Sequence, residues 1–216
     1  MSFYLGIDFG TTGVRTSIID KNKKELINFS VSIDDPISKG SLVYQNPSLW
    51  WNALIKNLTY LKTKIELNKI ERLSIDGTSG TILITDHYGN PLDNALMYND
   101  ASAVKESKLV ESISDNHPIV STSTNALVRA LSLINKLKKE KYRILHQADW
   151  IACKIIDDYM YSDENNALKL GYDCIERSWP KWFDRLPIEM NSLPNIKIPG
   201  QSIGCLLYTS DAADEE

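Results

Sequence analysis

The stretch FYLGIDFGTTGVRTSIID, residues 3–20, sets one carboxylate, Asp8, at the end of an apolar run and follows it with Gly10-Thr11-Thr12-Gly13 and a second apolar run. A strand closing on Asp8 and turning through this tetrapeptide presents several backbone N–H groups and two hydroxyls to one concavity. Such a nest suits phosphate oxygens, because glycine lets the backbone approach closely and small side chains leave the way open. At its edge Asp8 is placed to hold a hydrated Mg²⁺, which takes few protein carboxylates and completes its shell with water and phosphate oxygens. The plainer alternative is a hairpin whose turn simply needs its glycines.

Other phosphate and nucleotide signatures are absent. The sequence has no GxxxxGK[ST], no GxGxxG, and neither the HRD nor the VAIK companion that would make Asp8-Phe9-Gly10 the protein-kinase DFG. With 216 residues, 43% hydrophobic and 24% charged, the chain can bury a substantial core. A net charge of −4 lacks the basic footprint of a nucleic-acid binder and favours small-molecule chemistry. Cys153, Cys174 and Cys205 are odd in number and widely spaced, which indicates neither a disulfide framework nor a zinc site and fits a reducing cytosol. We read no targeting signal and no membrane span, so the expected setting is cytoplasmic, without a membrane or nucleic-acid partner.

Elements able to position Asp8 follow from periodicity. Residues 3–8, 14–20 and 25–33 predict three short strands in an antiparallel meander. Asn46-Pro47 begins an amphipathic helix marked by Trp51, Leu54, Ile55, Leu58 and Leu61. Residues 70–76, 81–85 and 92–98 predict further strands, the first two joined by Gly77-Thr78-Ser79-Gly80. Residues 103–113, 125–138 and 149–158 predict helices, the last with Asp149 as its N-cap. The fold class expected is α/β, a mixed sheet flanked by helices. The basic run Lys136–Lys141 reads as a solvated helix end.

Several separated segments then fall in a recognisable order. They are residues 3–20, Gln45-Asn46-Pro47 with Trp51, SIDGTSGTILITD at 74–86, LMYND at 96–100, HQADW at 146–150, SDENNALKLGYD at 162–173 and PGQSIG at 199–204. In this order they resemble the FGGY carbohydrate kinases, and among them the D-ribulose kinases of plants and cyanobacteria. The resemblance implies an actin-like ATPase, ribonuclease H-like N-terminal domain over residues 1–205, with ATP and sugar meeting in a cleft against a second domain of the same ancestry. It implies ATP and Mg²⁺ as cofactors and a small sugar as substrate, with Gly10, Thr11, Thr12 and Gly13 at the phosphate end and Asp8 near the metal and the reacting hydroxyl. Phosphoryl transfer asks a protein mainly for positioning and charge neutralisation, which these residue types can supply.

On the sugar side, the resemblance points to Asp76, Thr78 and Ser79, since a ketopentose needs convergent donors and acceptors for hydroxyls that lose water on binding. Read alone, the Thr78 and Ser79 hydroxyls would rather satisfy their own turn. Bacterial xylulokinases commonly carry Gly-Gln-Met-His-Gly where this chain has Gly77-Thr78-Ser79-Gly80-Thr81. The bulky Met-His pair is missing, which favours ribulose over xylulose. Asp100 matches the aspartate of the wider family's Trp-Asn-Asp and is a further expected sugar ligand, with a surface N-cap as the alternative. His146, Gln147 and Asp149 are assigned structural roles, and Trp179 and Trp182 are read as packing anchors. The acidic tail, residues 206–216, looks non-native or disordered. The family's general-base aspartate belongs to a C-terminal domain beyond the segments matched here, so the expectation is an N-terminal half inactive alone.

Overall fold

The computed structural model describes residues 2–114, 120, 122–137 and 141–205. The chain opens with three antiparallel strands, β1 (Phe3–Phe9), β2 (Gly13–Asp20) and β3 (Glu25–Ser32). A hairpin, β4 (Ile37–Lys39) and β5 (Leu42–Gln45), leads into α1 (Pro47–Lys62), and β6 (Ile70–Gly77) follows. Two shorter strands come next, β7 (Ile82–Thr85) and β8 (Ala95–Leu96), then α2 (Val104–Ile113) and α3 (Ala126–Ile134). The last part holds β9 (Arg143–His146), α4 (Gln147–Ile156), β10 (Tyr161–Asp163), α5 (Glu164–Leu170) and β11 (Asn195–Lys197).

Three sheets result. One has the order β3-β2-β1-β6, a second β4-β5-β8-β7-β9, and a third pairs β10 with β11. In the first sheet β6 returns beside β1 in parallel, so the strands β2 and β6 leave β1 on opposite sides. Period-two patterning decides which face is which. Leu5, Ile7, Phe9, Val14, Thr16 and Ile18 are buried, while Gly6, Asp8, Arg15, Ser74 and Asp76 lie exposed on the other side.

The buried face packs on α1 and α4. Asn46 caps α1 by accepting from the Ser48 N–H, and Pro47 needs no donor at the first helical position. Trp50, Ala53, Leu54 and Leu61 then project into the sheet. Trp150 of α4 meets Trp50 edge-on at 6.1 Å between ring centroids, closing this core. One polar contact crosses it. The Thr16 hydroxyl donates to Asn57 Oδ1 at 3.1 Å, and Asn57 Nδ2 donates to the Ala53 and Val14 carbonyls, both side chains being fully buried.

The second sheet packs on α3. Leu127, Val128, Ala130 and Leu131 join Ile82, Ile84 and Ile144 in a separate apolar cluster. Arg129 is also buried here, its guanidinium donating to the carbonyls of Met97, Leu96, Thr124 and Asn125. Burial pushes this group down to about 10, against the pull of the nearby Asp100 carboxylate. Trp179 and Trp182 pack on Phe183, with Trp179 also edge-on to Tyr172, in keeping with anchoring roles.

The expected meander, the helix from Pro47 and the strand near residues 70–76 all occur. Four details differ. The strand expected over 92–98 contracts to Ala95–Leu96, because only those two residues reach partner strands. Segments 70–76 and 81–85 form strands of different sheets, separated by the turn at Gly77–Gly80. The helix expected to start after Asp149 begins at Gln147. His146 is the N-cap, and Asp149, at the third helical position, accepts from its backbone N–H at 3.3 Å, so Asp149 supports the cap instead of being it. The helix from Asn125 ends at Ile134, and Lys138, Lys139, Glu140 and the 206–216 tail lie outside the described residues.

Two substitutions test this packing. Asn57→Ala removes the nearer acceptor of the buried Thr16 hydroxyl, leaving it the Phe29 carbonyl at 3.3 Å, and removes the donor to the Val14 carbonyl; it is expected to cost about 2 kcal/mol in denaturant unfolding, and a loss under about 0.5 kcal/mol would contradict the role given to the contact. Arg129→Met strands Asp100 and four carbonyls, with an expected loss of about 3–5 kcal/mol by the same measurement.

Candidate active site

Parallel pairing of β1 with β6 sets Asp8 opposite Asp76, and antiparallel pairing with β2 sets Arg15 on the other side of Asp8. All three side chains are exposed on one face. Both aspartates stand one residue from the C-terminal ends of adjacent parallel strands, where the sheet order switches direction. Open α/β sheets bind ligands at that kind of position.

Each strand runs directly into its turn. Gly10 N donates to the Gly13 carbonyl at 2.9 Å, and Ile33 N donates to the Thr12 carbonyl at 3.0 Å. A Cβ on Gly13 would stand 3.2 Å from the Val31 carbonyl, so glycine is needed there for strand contact rather than for ligand approach. The Thr11 and Thr12 hydroxyls and backbone N–H groups have no partner among the described residues, and Thr12 is exposed. These two donor pairs, with Asp8 beside them, fit a polyphosphate and a hydrated divalent cation.

Across the gap, the turn 77–80 closes with Thr81 N donating to the Thr78 carbonyl at 3.1 Å and Gly80 at φ +85°. Thr78 is largely consumed internally. Its hydroxyl donates to the Phe9 carbonyl at 3.1 Å and its N–H donates to Gln147 Oε1 at 2.9 Å, which leaves oxygen lone pairs for a ligand. Ser79 is exposed. An added Cβ at Gly80 would lie 3.4 Å from an Arg129 nitrogen, in a conformation side chains rarely adopt, so this turn must stay small.

Asp100 is placed otherwise than expected. It is fully buried and accepts from the Val43 N–H at 2.7 Å and from the Ser102 N–H and hydroxyl. It is not a surface N-cap, since Ala103 occupies that position of α2. Two residues not singled out as site residues support the turns. Gln45, 2% exposed, accepts from Trp50 Nε1 at 2.6 Å and donates to the carbonyls of Thr11 at 3.1 Å and Asp34 at 2.7 Å. Gln147 does the corresponding work at Thr78. The closeness of Gln45 to Asn46-Pro47 was a usable signal; the contact of Gln147 spans 69 residues and has none.

Two shallow concavities of about 230 and 280 Å³ lie around His87 and Arg143 and include none of the predicted site residues. The Asp8–Asp76 site is an open end of the sheet, at the C-terminal ends of β1 and β6, flanked by two turns. Among the described residues no helix is long and apolar enough to cross a membrane.

Known proteins give this geometry a context. The xylulose kinase of Staphylococcus xylosus is 23% identical over 219 residues, covering 95% of this chain and 45% of its own length. The ribulokinase of Staphylococcus aureus strain Newman is 23% identical over 252 residues, with the same coverages of 95% and 45%. The ligand-bound xylulose kinase structure from Lactobacillus acidophilus superposes with a TM-score of 0.83 at 19% identity, covering 95% of this chain and 44% of that one. The chain thus spans about half the length of the relatives it matches, and its fold is that of the actin-like sugar kinases. Residues 3–213 match the N-terminal domain of the FGGY carbohydrate kinases, and the chain belongs to that family.

Proposed function

We propose that these residues form the sugar- and phosphate-facing half of an ATP-dependent pentulose kinase, with D-ribulose as the preferred substrate and D-xylulose as the alternative. The observation that carries this reading is the in-register pair Asp8 and Asp76 at the switch point, between a threonine-rich turn and a small hydroxyl turn. Asp8 and Asp76 accept hydrogen bonds from sugar hydroxyls, and Ser79 adds a donor beside them. The Thr11 and Thr12 N–H and hydroxyl groups face the phosphate chain, with Gly10 and Gly13 shaping the turn. Asp8 is the group that would hold Mg²⁺, water filling the rest of its shell. ATP supplies the phosphoryl group; this half holds the sugar hydroxyl in line with it and keeps charge balanced.

Preference for ribulose rests on the turn at Gly77–Gly80, which Arg129 and the positive φ at Gly80 hold small where xylulokinases commonly place bulky side chains. The base that takes the sugar's proton is assigned to a second half, in keeping with relatives about twice this length. On this reading the 216-residue chain binds sugar without turning it over, in a cytosolic setting.

The test is calorimetric titration of the chain with D-ribulose and D-xylulose, with Asp8→Asn and Asp76→Asn as variants. Each variant keeps shape but loses a charged acceptor, and should weaken D-ribulose binding by about tenfold or more. Wild-type affinity in both variants would overturn the site. A parallel assay for sugar-dependent ADP formation should show none with the chain alone.

A further inference from the structure

Gln147 grips the sugar-side turn at both of its ends. Its side-chain Oε1 accepts from the Thr78 N–H at 2.9 Å, where the chain enters the turn, and its backbone N–H donates to the Thr81 carbonyl at 3.1 Å, where the chain leaves it. Thr78 in turn donates its hydroxyl to the Phe9 carbonyl, next to Asp8. A single line of hydrogen bonds therefore runs from the first residue of α4, through the turn that carries Ser79, to the end of β1.

The residues around this contact are built for it. Gly77 has no side chain, and a Cβ there would stand 3.2 Å from Gln147 Oε1 and 3.3 Å from Ala148 Cβ. Gln147 is fully buried, and its Nε2 has no hydrogen-bond partner among the described residues. Keeping a buried amide with an unmet donor is costly. What the amide provides in return is the one oxygen that meets the Thr78 N–H, which a hydrocarbon of the same length would leave unpaired.

We propose that Gln147 is a positioning residue for the sugar site, fixing the Gly77–Gly80 turn so that Asp76 and Ser79 stand in one geometry beside Asp8. It touches no ligand itself, since it is enclosed behind the turn. The proposal rests on the sugar-binding reading above for its functional consequence, and on the hydrogen bonds alone for its structural part.

Gln147→Met keeps the length and removes the acceptor, whereas Gln147→Glu keeps an acceptor oxygen. Three quantities are read on the folded chain: Thr78 amide exchange by NMR, the Kd for D-ribulose, and Tm. In Q147M, Thr78 exchange should quicken and the Kd should rise, each by about tenfold, the size expected for one lost hydrogen bond. In Q147E both should return towards wild type. Unchanged Thr78 protection in Q147M would overturn the proposal, as would an unchanged Kd when protection is lost, or a lower Tm as the sole effect. Should Q147M fail to fold, Gly77→Ala, which displaces Gln147 Oε1, decides: loss of Thr78 protection with a raised Kd supports the role, and wild-type behaviour overturns it. If the wild-type chain binds neither pentulose, the sugar reading falls by itself, and Thr78 exchange in Q147M still decides whether Gln147 holds the turn.

Discussion

Everything at the candidate site depends on the register in which β6 lies against β1. Parallel pairing sets Ile7 beside Ile75 and Asp8 beside Asp76, so the apolar pair faces α1 and α4 while the acidic pair faces outward. A slip of one residue would drive a carboxylate into the core and an isoleucine into water. Burial of Leu5, Ile7, Phe9, Leu73 and Ile75 thus fixes where the carboxylates stand, and the same packing that stabilises the sheet aligns its chemistry.

The two turns then need holding, because strand pairing does not by itself fix the loops beyond the strand ends. Three side chains do this from behind. Gln45 ties the Thr11 carbonyl to Trp50 and hence to α1, Gln147 ties Thr78 to α4, and Arg129 gathers the Met97 and Thr124 carbonyls beneath Gly80. Each is buried, and each holds a backbone group of its turn or of the segment beneath it through a side-chain hydrogen bond. Polar groups offered to a ligand are by contrast open to solvent, Asp8, Asp76, Thr12 and Ser79 exposed and Thr11 half-buried.

Much of this could be seen from residue order alone where the determinants are local. Alternating apolar residues marked β1, β2 and β3, Asn46-Pro47 marked the start of α1, and the two glycine-rich turns marked the ends of β1 and β6. The second sheet was hidden because β4, β5, β8 and β9 have only two to four residues each, too short for a period to emerge. Asp149 carried a cap's chemistry but acts at the third helical position, since an N-cap and a residue that reaches back to the cap's N–H look alike in a string of letters. Asp100 gave no sign of burial, because its neutralising neighbours, the Val43 N–H and Arg129, come from distant segments.

The central claim is that Asp8–Gly13 and Asp76–Gly80 form one sugar- and phosphate-facing surface. The most direct measurement is an NMR titration of the isotopically labelled chain with D-ribulose, followed by Mg-ATP. The account predicts sugar-induced shifts concentrated at Asp8 and Asp76–Gly80, and nucleotide-induced shifts at Gly10–Gly13. Shifts that leave both turns untouched, or that gather around His87 and Arg143, would contradict it.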